Sequence, residues 1–175
     1  MKKRGKQASP LHVAVYPGTF DPVTNGHMDL IRRALEIFQK VIVGVAMNPE
    51  KGALFSLQER VAMLREAIGA SPQVEVKPFD SLLVDFARGN GSNVIIRGLR
   101  MLSDFEYEFQ MALTNRKFNP KIETVFMMPS AEYAYLSSRL IKEAAALGAD
   151  LRGLVPAHVA LSLKKKLLRH KATEE

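Results

Sequence analysis

The stretch 15-VYPGTFDPVTNGHMDL-30 joins a strand-like pattern to a helix-like one. Residues 13–16 form a short apolar run, which Pro17 and Gly18 end. Apolar residues at helical spacing begin at Met28. The polar connection between the two patterns is about ten residues long, whereas a strand-to-helix connection usually has roughly two to six. The length of this loop predicts that it has a function beyond linking the two elements.

The rest of the chain continues the alternation of strands and helices. Two segments, Ser56 to Glu59 and Ser103 to Glu106, have the spacing of capping boxes and predict helix starts. We predict an α/β fold, a Rossmann-like five-stranded parallel sheet of order 3-2-1-4-5 with helices on both faces. The predicted strands are residues 13–16, 41–46, 73–77, 94–97 and 124–128.

The unusual segments of the sequence all follow predicted strands. They are residues 16–27, 47–51, 97–100 and 128–139. In a parallel sheet, ligands bind outside the carboxyl ends of the strands, at the point where the strand order reverses. Strands one and four are neighbours at that point, so we expect their glycine-containing loops to face each other across one crevice.

The loop after strand one has the residue types of a phosphate site. Gly18 lets the backbone approach a ligand closely, and Thr19 offers a hydroxyl group. Thr24 and His27 are three residues apart at the start of a helix, so both can address one point, and the helix supplies N–H groups and a positive dipole end. The alternative is a tight turn followed by a histidine that merely begins a helix.

Arg97 and Arg100 strengthen the phosphate interpretation. Guanidinium groups match phosphate oxygens, and Arg97 ends an apolar strand where an unpaired charge is costly. A structural ion pair with Asp104 or Glu106 is the competing interpretation. Lys51 follows strand two, and the helix that starts at residues 137–139 again presents N–H groups and a cation, although simple capping explains its serines equally well.

Composition limits the class of protein. The 175 residues are 47% hydrophobic and 25% charged, which favours one globular domain spanning residues 1–175. The net charge of +7 comes from residues 1–10 (+4) and 164–175 (+3). We therefore expect mobile basic tails at residues 1–10 and 165–175, no nucleic-acid partner and no membrane partner. The absence of cysteine and of a secretory leader fits a cytoplasmic protein.

Several other chemistries are excluded by their missing motifs. The chain lacks GxxxxGK[ST], GxSxG and HExxH, has no GxGxxG after strand one, and has no cysteine nucleophile. Its four histidines have no metal-ligand spacing.

The combination of GTFDPVTNGH, IRGLR, FEYE and LSSRLIKE resembles the bacterial phosphopantetheine adenylyltransferases of the nucleotidyltransferase superfamily. The resemblance covers residues 12–163. It implies transfer of AMP from ATP to 4'-phosphopantetheine, which yields dephospho-coenzyme A and pyrophosphate. It also implies Mg²⁺ bound through the ATP phosphates rather than by protein side chains, and a homohexamer.

The resemblance also implies roles for individual residues. His27 would stabilise the transition state, with Thr19, Lys51 and Arg100 as further catalytic residues. The acceptor substrate would be bound by Thr19, Lys51, Leu83 and Arg97. ATP would be bound by Thr19, Phe20, His27, Gly98, Leu99, Arg100, Glu108, Tyr133, Ala134, Tyr135, Leu136, Ser137, Ser138 and Arg139. Many relatives have a third serine at the position of Arg139, so the role of this arginine stays open.

Three alternatives remain from the sequence. Another adenylyl- or cytidylyltransferase on the same scaffold would use nicotinamide mononucleotide or an alcohol phosphate as acceptor. A nucleic-acid-binding module would use the basic ends, and a silent sensor would bind nucleotide without turnover. The proposed chemistry itself fits the residues, since a phosphate monoester needs no general base and is helped by alignment and by cationic groups.

Overall fold

A computed structural model describes residues 13–47 and 52–174, with side chains up to Leu168. Lys51, a predicted site residue, and residues 1–10, a predicted tail, lie outside the described residues. Mobility of residues 165–175 stays a prediction, and the backbone is helical as far as Glu174.

The strands and helices alternate in the predicted way. The described residues form five strands, which are β1 (Val13–Gly18), β2 (Lys40–Ala46), β3 (Val74–Phe79), β4 (Val94–Gly98) and β5 (Glu123–Met127). The same residues form six helices, which are α1 (Asn25–Ile37), α2 (Leu57–Ile68), α3 (Leu83–Gly89), α4 (Leu102–Phe118), α5 (Ser138–Ala146) and α6 (Ala157–Glu174), and a 3₁₀ turn spans Ala131–Tyr133. None of the helices in the described part of the chain combines the length and the apolar character that crossing a membrane requires.

All five strands are parallel, in the order β3-β2-β1-β4-β5, which confirms the predicted topology. β1 pairs with β2 along its whole length. Its pairing with β4 joins Ala14 to Val94 and Val15 to Ile95. Both strands continue beyond these pairs, so their carboxyl ends separate and leave an opening at the point where the strand order reverses.

The alternation of side chains along the strands divides the core between the two faces of the sheet. On one face, residues such as Val43 and Ile96 pack against α1, α2, α5 and α6. On the other face, Val15, Ile42 and Ile95 pack against residues of α3. Helices therefore cover both faces, as predicted.

The β3 strand lies at one edge of the sheet and runs two residues beyond its predicted end, through Pro78 to Phe79. A proline is tolerated there because an edge strand does not need every N–H group for pairing. Within the same strand, Glu75 forms ion pairs with Lys77 and with Lys40 of the neighbouring strand β2.

The helix starts agree with the sequence at α2 but not at α4. Ser56 and Glu59 form the predicted capping box. The predicted box of Ser103 and Glu106 is wrong, since α4 begins at Leu102 without any side-chain cap. The carboxylate of Asp104, in the first turn, accepts hydrogen bonds from the backbone and side chain of Arg100 instead.

Gly44 of β2 leaves room for a pair of stacked aromatic rings. The rings of Phe79 and Phe86 lie with centroids 4.5 Å apart, and a Cβ atom on Gly44 would approach a Phe86 ring carbon to 2.7 Å. We expect Gly44→Ala to lower the free energy of unfolding by about 1–2 kcal/mol, because the ring pair must shift to admit the methyl group. Urea denaturation measures this change.

Gly89→Ala is the matched control. A Cβ atom on Gly89 meets no atom within 4 Å, so this variant should stay within about 0.5 kcal/mol of the wild type. Equal stability of the Gly44→Ala variant and the wild type would show that the aromatic pair does not limit the space there.

Candidate active site

A cleft of about 650 Å³ opens where the carboxyl ends of β1 and β4 separate. Its walls come from the loops after β1, β2, β4 and β5 and from the helices α1, α4 and α5. The structure thus brings together segments that are far apart in sequence. The predicted site residues that line this cleft are Thr19, Phe20, His27, Arg97, Gly98, Arg100, Glu108, Tyr133, Leu136, Ser137 and Ser138.

Other predicted site residues do not line the cleft. Leu83 packs against the core on the α3 face of the sheet, and Arg139 projects into solvent and pairs with Glu143 at 2.9 Å. Leu99, Ala134 and Tyr135 belong to the loops of the cleft but are not among its lining residues. The roles that the resemblance implies for these five residues stay predictions, as does the role of Lys51.

Thr24 and His27 form a reciprocal capping box at the start of α1. The backbone N–H of Thr24 donates to His27 Nδ1 at 3.0 Å, and the backbone N–H of His27 donates to Thr24 Oγ1 at 3.4 Å. The two side chains also contact each other, with Nδ1 and Oγ1 3.1 Å apart, and both line the cleft. That they address one phosphate stays a prediction. Because Nδ1 is used as an acceptor, the proton of the neutral ring lies on Nε2.

The imidazole of His27 is held in its neutral form. Burial lowers its pKa to about 4, and the positive charge of Arg100 acts in the same direction. The edge-on ring of Phe20, with centroids 5.0 Å apart, covers the imidazole. At neutral pH, His27 is therefore an oriented hydrogen-bond donor rather than a cation.

Phe20 has an unusual backbone conformation, with φ at 51°. Its buried ring lies over Gly18, where a Cβ atom would approach a ring carbon to 2.9 Å. The position of the Phe20 ring is therefore what requires a glycine at residue 18.

Arg97 makes the ion pair that the sequence left open, but its partner is Glu108 rather than Asp104 or Glu106. The pair is bidentate, with Nε to Oε2 at 2.6 Å and Nη2 to Oε1 at 2.5 Å, and Nη1 donates to the carbonyl of Pro17 at 3.1 Å. Burial alone would lower the pKa of Arg97, but the hydrogen bonds and charge of Glu108 raise it overall. The guanidinium thus stays charged and is held at the floor of the cleft.

Arg100 connects two walls of the cleft. Its Nε donates to Asp104 at 3.1 Å, and its Nη1 donates to the carbonyl of Leu136 at 3.0 Å. The loop after β4 is thereby joined to the loop before α5.

Asp21 and Lys142 are two cleft residues that were not predicted. The buried carboxylate of Asp21 accepts hydrogen bonds from the N–H groups of Leu54 and Phe55 and from Lys142 Nζ, which is 2.7 Å away. Lys142 lies four residues after Ser138, so the helical period places it on the same face of α5 as a residue that was predicted. This four-residue spacing was the feature of the sequence from which Lys142 could have been predicted.

Asp29 is a further residue that the sequence did not indicate. Its buried carboxylate accepts hydrogen bonds from the backbone N–H of Ser130 at 2.8 Å and from the Ser130 hydroxyl at 3.0 Å. It fastens the loop after β5 to α1, two residues beyond His27.

In the part of the chain that the structure describes, carboxylates balance the cations that line the cleft. Arg97 with Glu108, Arg100 with Asp104, and Lys142 with Asp21 form three pairs. Each pair has no net charge, but its cation still offers N–H donors to an anion. The starts of α1 and α5 add the positive ends of their helix dipoles. Within the described residues, no group of three or more histidine, aspartate or glutamate side chains is arranged to hold a metal ion.

The chain matches known proteins in both sequence and structure. A family model described as cytidylyltransferase-like matches residues 15–144. The phosphopantetheine adenylyltransferase of Clostridium tetani is 53% identical over 156 residues, which cover 89% of this chain and 98% of the relative. The protein of the same name from Geotalea daltonii is 53% identical over 160 residues, which cover 91% of this chain and 99% of the relative.

Among solved structures, this fold is similar to that of a bifunctional NMN adenylyltransferase/ADP-ribose pyrophosphatase from Francisella tularensis, in complex with AMP and a manganese ion. The TM-score is 0.64 at 14% identity, and the match covers 93% of this chain and 53% of that one. The chain spans about half the length of that protein, and the likeness concerns the fold alone.

The matched region begins in β1 and ends in α5, so it contains both helix starts that face the cleft. About half of the residues are shared with curated relatives along nearly their whole length. The chain belongs to the phosphopantetheine adenylyltransferase family, within the cytidylyltransferase-like nucleotidyltransferases.

Proposed function

We propose that this chain transfers AMP from ATP to 4'-phosphopantetheine, releasing pyrophosphate and forming dephospho-coenzyme A. The observation that carries the proposal is the convergence of His27, Arg97 and Arg100 on one cleft in a chain of this family. A cleft of about 650 Å³ has the size of a pocket for small molecules, which is roughly 300–1,000 Å³.

The reaction is an in-line displacement at phosphorus. An oxygen of the phosphopantetheine phosphate forms a new bond to the α-phosphorus of ATP. The bond from that phosphorus to the bridging oxygen of the β-phosphate breaks, and pyrophosphate leaves with the electron pair. The attacking phosphate monoester has a second pKa of about 6, so it is mostly dianionic at neutral pH and needs no general base.

His27 would stabilise the charge that develops on the α-phosphate. Its Nε2–H is available as a donor because Thr24 occupies Nδ1. A neutral donor, already oriented before the reaction, stabilises the transition state without having to reorganise. The low pKa of the ring means that it does not change its charge within the physiological range.

The arginines would bring the two anionic substrates together. Arg97 at the end of β4 would face the phosphate of the acceptor, and Arg100 with residues 133–139 would face ATP. Glu108 and Asp104 hold these guanidinium groups in place before substrate arrives, so little side-chain entropy remains to be lost on binding. Lys51 and Leu83 are proposed on the acceptor side through the family resemblance.

Mg²⁺ would enter as the Mg–ATP complex. Among the described residues, the carboxylates that line the cleft are Asp21 and Glu108, and both are engaged by cations, so this donor set favours coordination through phosphate oxygens. The ion would neutralise charge on the triphosphate, and the chain's own residues would align the reacting groups.

We also propose a cytoplasmic homohexamer. The cytoplasmic location is supported by the absence of cysteine from the chain. Self-association is supported by the large apolar side chains exposed on one face of α4, since monomers rarely expose extended apolar patches. These are Leu102, Phe105, Phe109 and Leu113.

The acceptor specificity can be tested directly. We expect pyrophosphate release and formation of dephospho-coenzyme A when the protein is supplied with Mg–ATP and phosphopantetheine, and loss of both when EDTA is present. Nicotinamide mononucleotide and glycerol 3-phosphate serve as competing acceptors. Turnover with either of these, but not with phosphopantetheine, would replace the proposed substrate.

His27 variants test the donor role. His27→Ala should lower kcat roughly a hundredfold or more, by analogy with the loss of an oxyanion donor. His27→Gln should lose less, because its amide can place an N–H near the position of Nε2. Steady-state kinetics measure both effects.

The control for these variants is His158→Ala, which changes a partly buried histidine of α6 that bonds to the carbonyl of Met63 outside the cleft. It should keep kcat within about twofold. Near-normal turnover of the His27→Ala variant would refute the proposed role.

The hexamer is tested by sedimentation. We expect the wild type to sediment as a hexamer and Leu113→Glu to give smaller species, because a charge on the α4 face must be desolvated in the interface. Leu147, which is 88% exposed after α5, supplies the control Leu147→Glu, expected to remain hexameric. A monomeric wild type would contradict the proposal.

A further inference from the structure

Arg60 is a charged residue that belongs to the core rather than to the cleft. It lies in the first turns of α2 and is 1% exposed. Among the described residues, it forms no ion pair with a carboxylate within 4.0 Å and does not line the cleft. A buried guanidinium without an ion-pair partner is costly unless hydrogen bonds satisfy it, so its contacts require an explanation.

Three backbone carbonyls accept the hydrogen bonds of Arg60. Nη1 donates to the carbonyl of Thr19 at 2.7 Å and to that of Ala46 at 3.0 Å, and Nε donates to that of Phe55 at 3.2 Å. These carbonyls belong to the loop after β1, the last residue of β2 and the segment before α2. One side chain therefore joins three segments, of which the loop after β1 lines the cleft.

The contact with Thr19 controls the direction of one peptide group. The bond between Thr19 and Phe20 is trans, since the cis bond in the described residues is that before Pro22. The carbonyl and the N–H of a trans peptide point in opposite directions. With the Thr19 carbonyl directed at Arg60, the N–H of Phe20 points away from Arg60.

The two residues of this peptide group belong to the wall of the cleft. Thr19 and Phe20 both line it. Within residues 13–47 and 52–174, the Phe20 N–H has no hydrogen-bond acceptor. Phe20 also has its φ at 51°, a conformation that a large side chain adopts only when its surroundings impose it.

We propose that Arg60 is a positioning residue that holds the Thr19–Phe20 peptide with its N–H directed at a phosphate group of the nucleotide. This inference rests on the proposed function and extends it to a residue outside the cleft. An N–H fixed before the reaction acts as an oxyanion donor, and its value is greatest in the transition state. Arg60 would therefore affect kcat more than the binding of ATP.

Kinetics of two variants separate positioning from simple structural support. We expect Arg60→Lys to lower kcat about tenfold and Arg60→Met about a hundredfold, with KM for ATP changing less than about threefold. Rates are taken per folded enzyme, well below each thermal midpoint. The control Arg65→Met removes an exposed arginine of the same helix, which makes one bond to Val76, and should leave kcat unchanged.

A second measurement reports on the peptide itself. In NMR spectra of the wild type, the Phe20 amide resonance should shift when ATP alone is added. In the Arg60→Lys variant, this shift should be lost or reduced. This readout needs no acceptor and no turnover. It therefore decides the inference even if Arg60→Met does not fold or if phosphopantetheine proves not to be the substrate.

The two proposals fail in different ways. A wild type that produces no dephospho-coenzyme A overturns the proposed function, while the amide shift still judges the role of Arg60. Wild-type kcat in both folded Arg60 variants, or a Phe20 amide that does not respond to ATP, overturns the positioning role.

Discussion

The reciprocal hydrogen bonds between Thr24 and His27 fix several features of this protein at once. They satisfy backbone N–H groups at the start of α1, where no intrahelical partner exists. They also assign the imidazole proton to Nε2 and set the direction of the ring. The helix cap and the transition-state donor that we propose are thereby the same structure, so a change that loosens the cap should also disturb the proposed chemistry.

The electrostatic design of the cleft is one of paired charges. Each described cation that lines it has a carboxylate partner on a neighbouring element, and the partners hold the donors without removing all their hydrogen-bonding capacity. A cleft with unpaired arginines would attract anions more strongly, but its side chains would lose more conformational entropy on binding. Alignment of two substrates that repel each other benefits from donors that are already in place.

The sequence predicted the fold better than it predicted the contacts within the site. The alternation of strands and helices followed from periodic patterns, which are local and repeated along the chain, and the strand order was the common one for such a sheet. The convergence of loops followed from the topology of a parallel sheet. Pairs such as Asp21 with Lys142, which are 121 residues apart, have no local signal.

The residues that were missed or misassigned show the same limit. The predicted capping box at Ser103 failed because α4 already begins at Leu102, so Ser103 lies inside the first turn and not at its cap. Arg60 has the spacing of an ordinary helix residue, and only the folded structure reveals that three carbonyls surround it. The edge strand β3 affects how other chains can approach the sheet. Pro78 lacks an N–H group, and Glu75 lies between two lysines, so this edge is a poor template for another chain to add a strand and is protected against edge-to-edge aggregation.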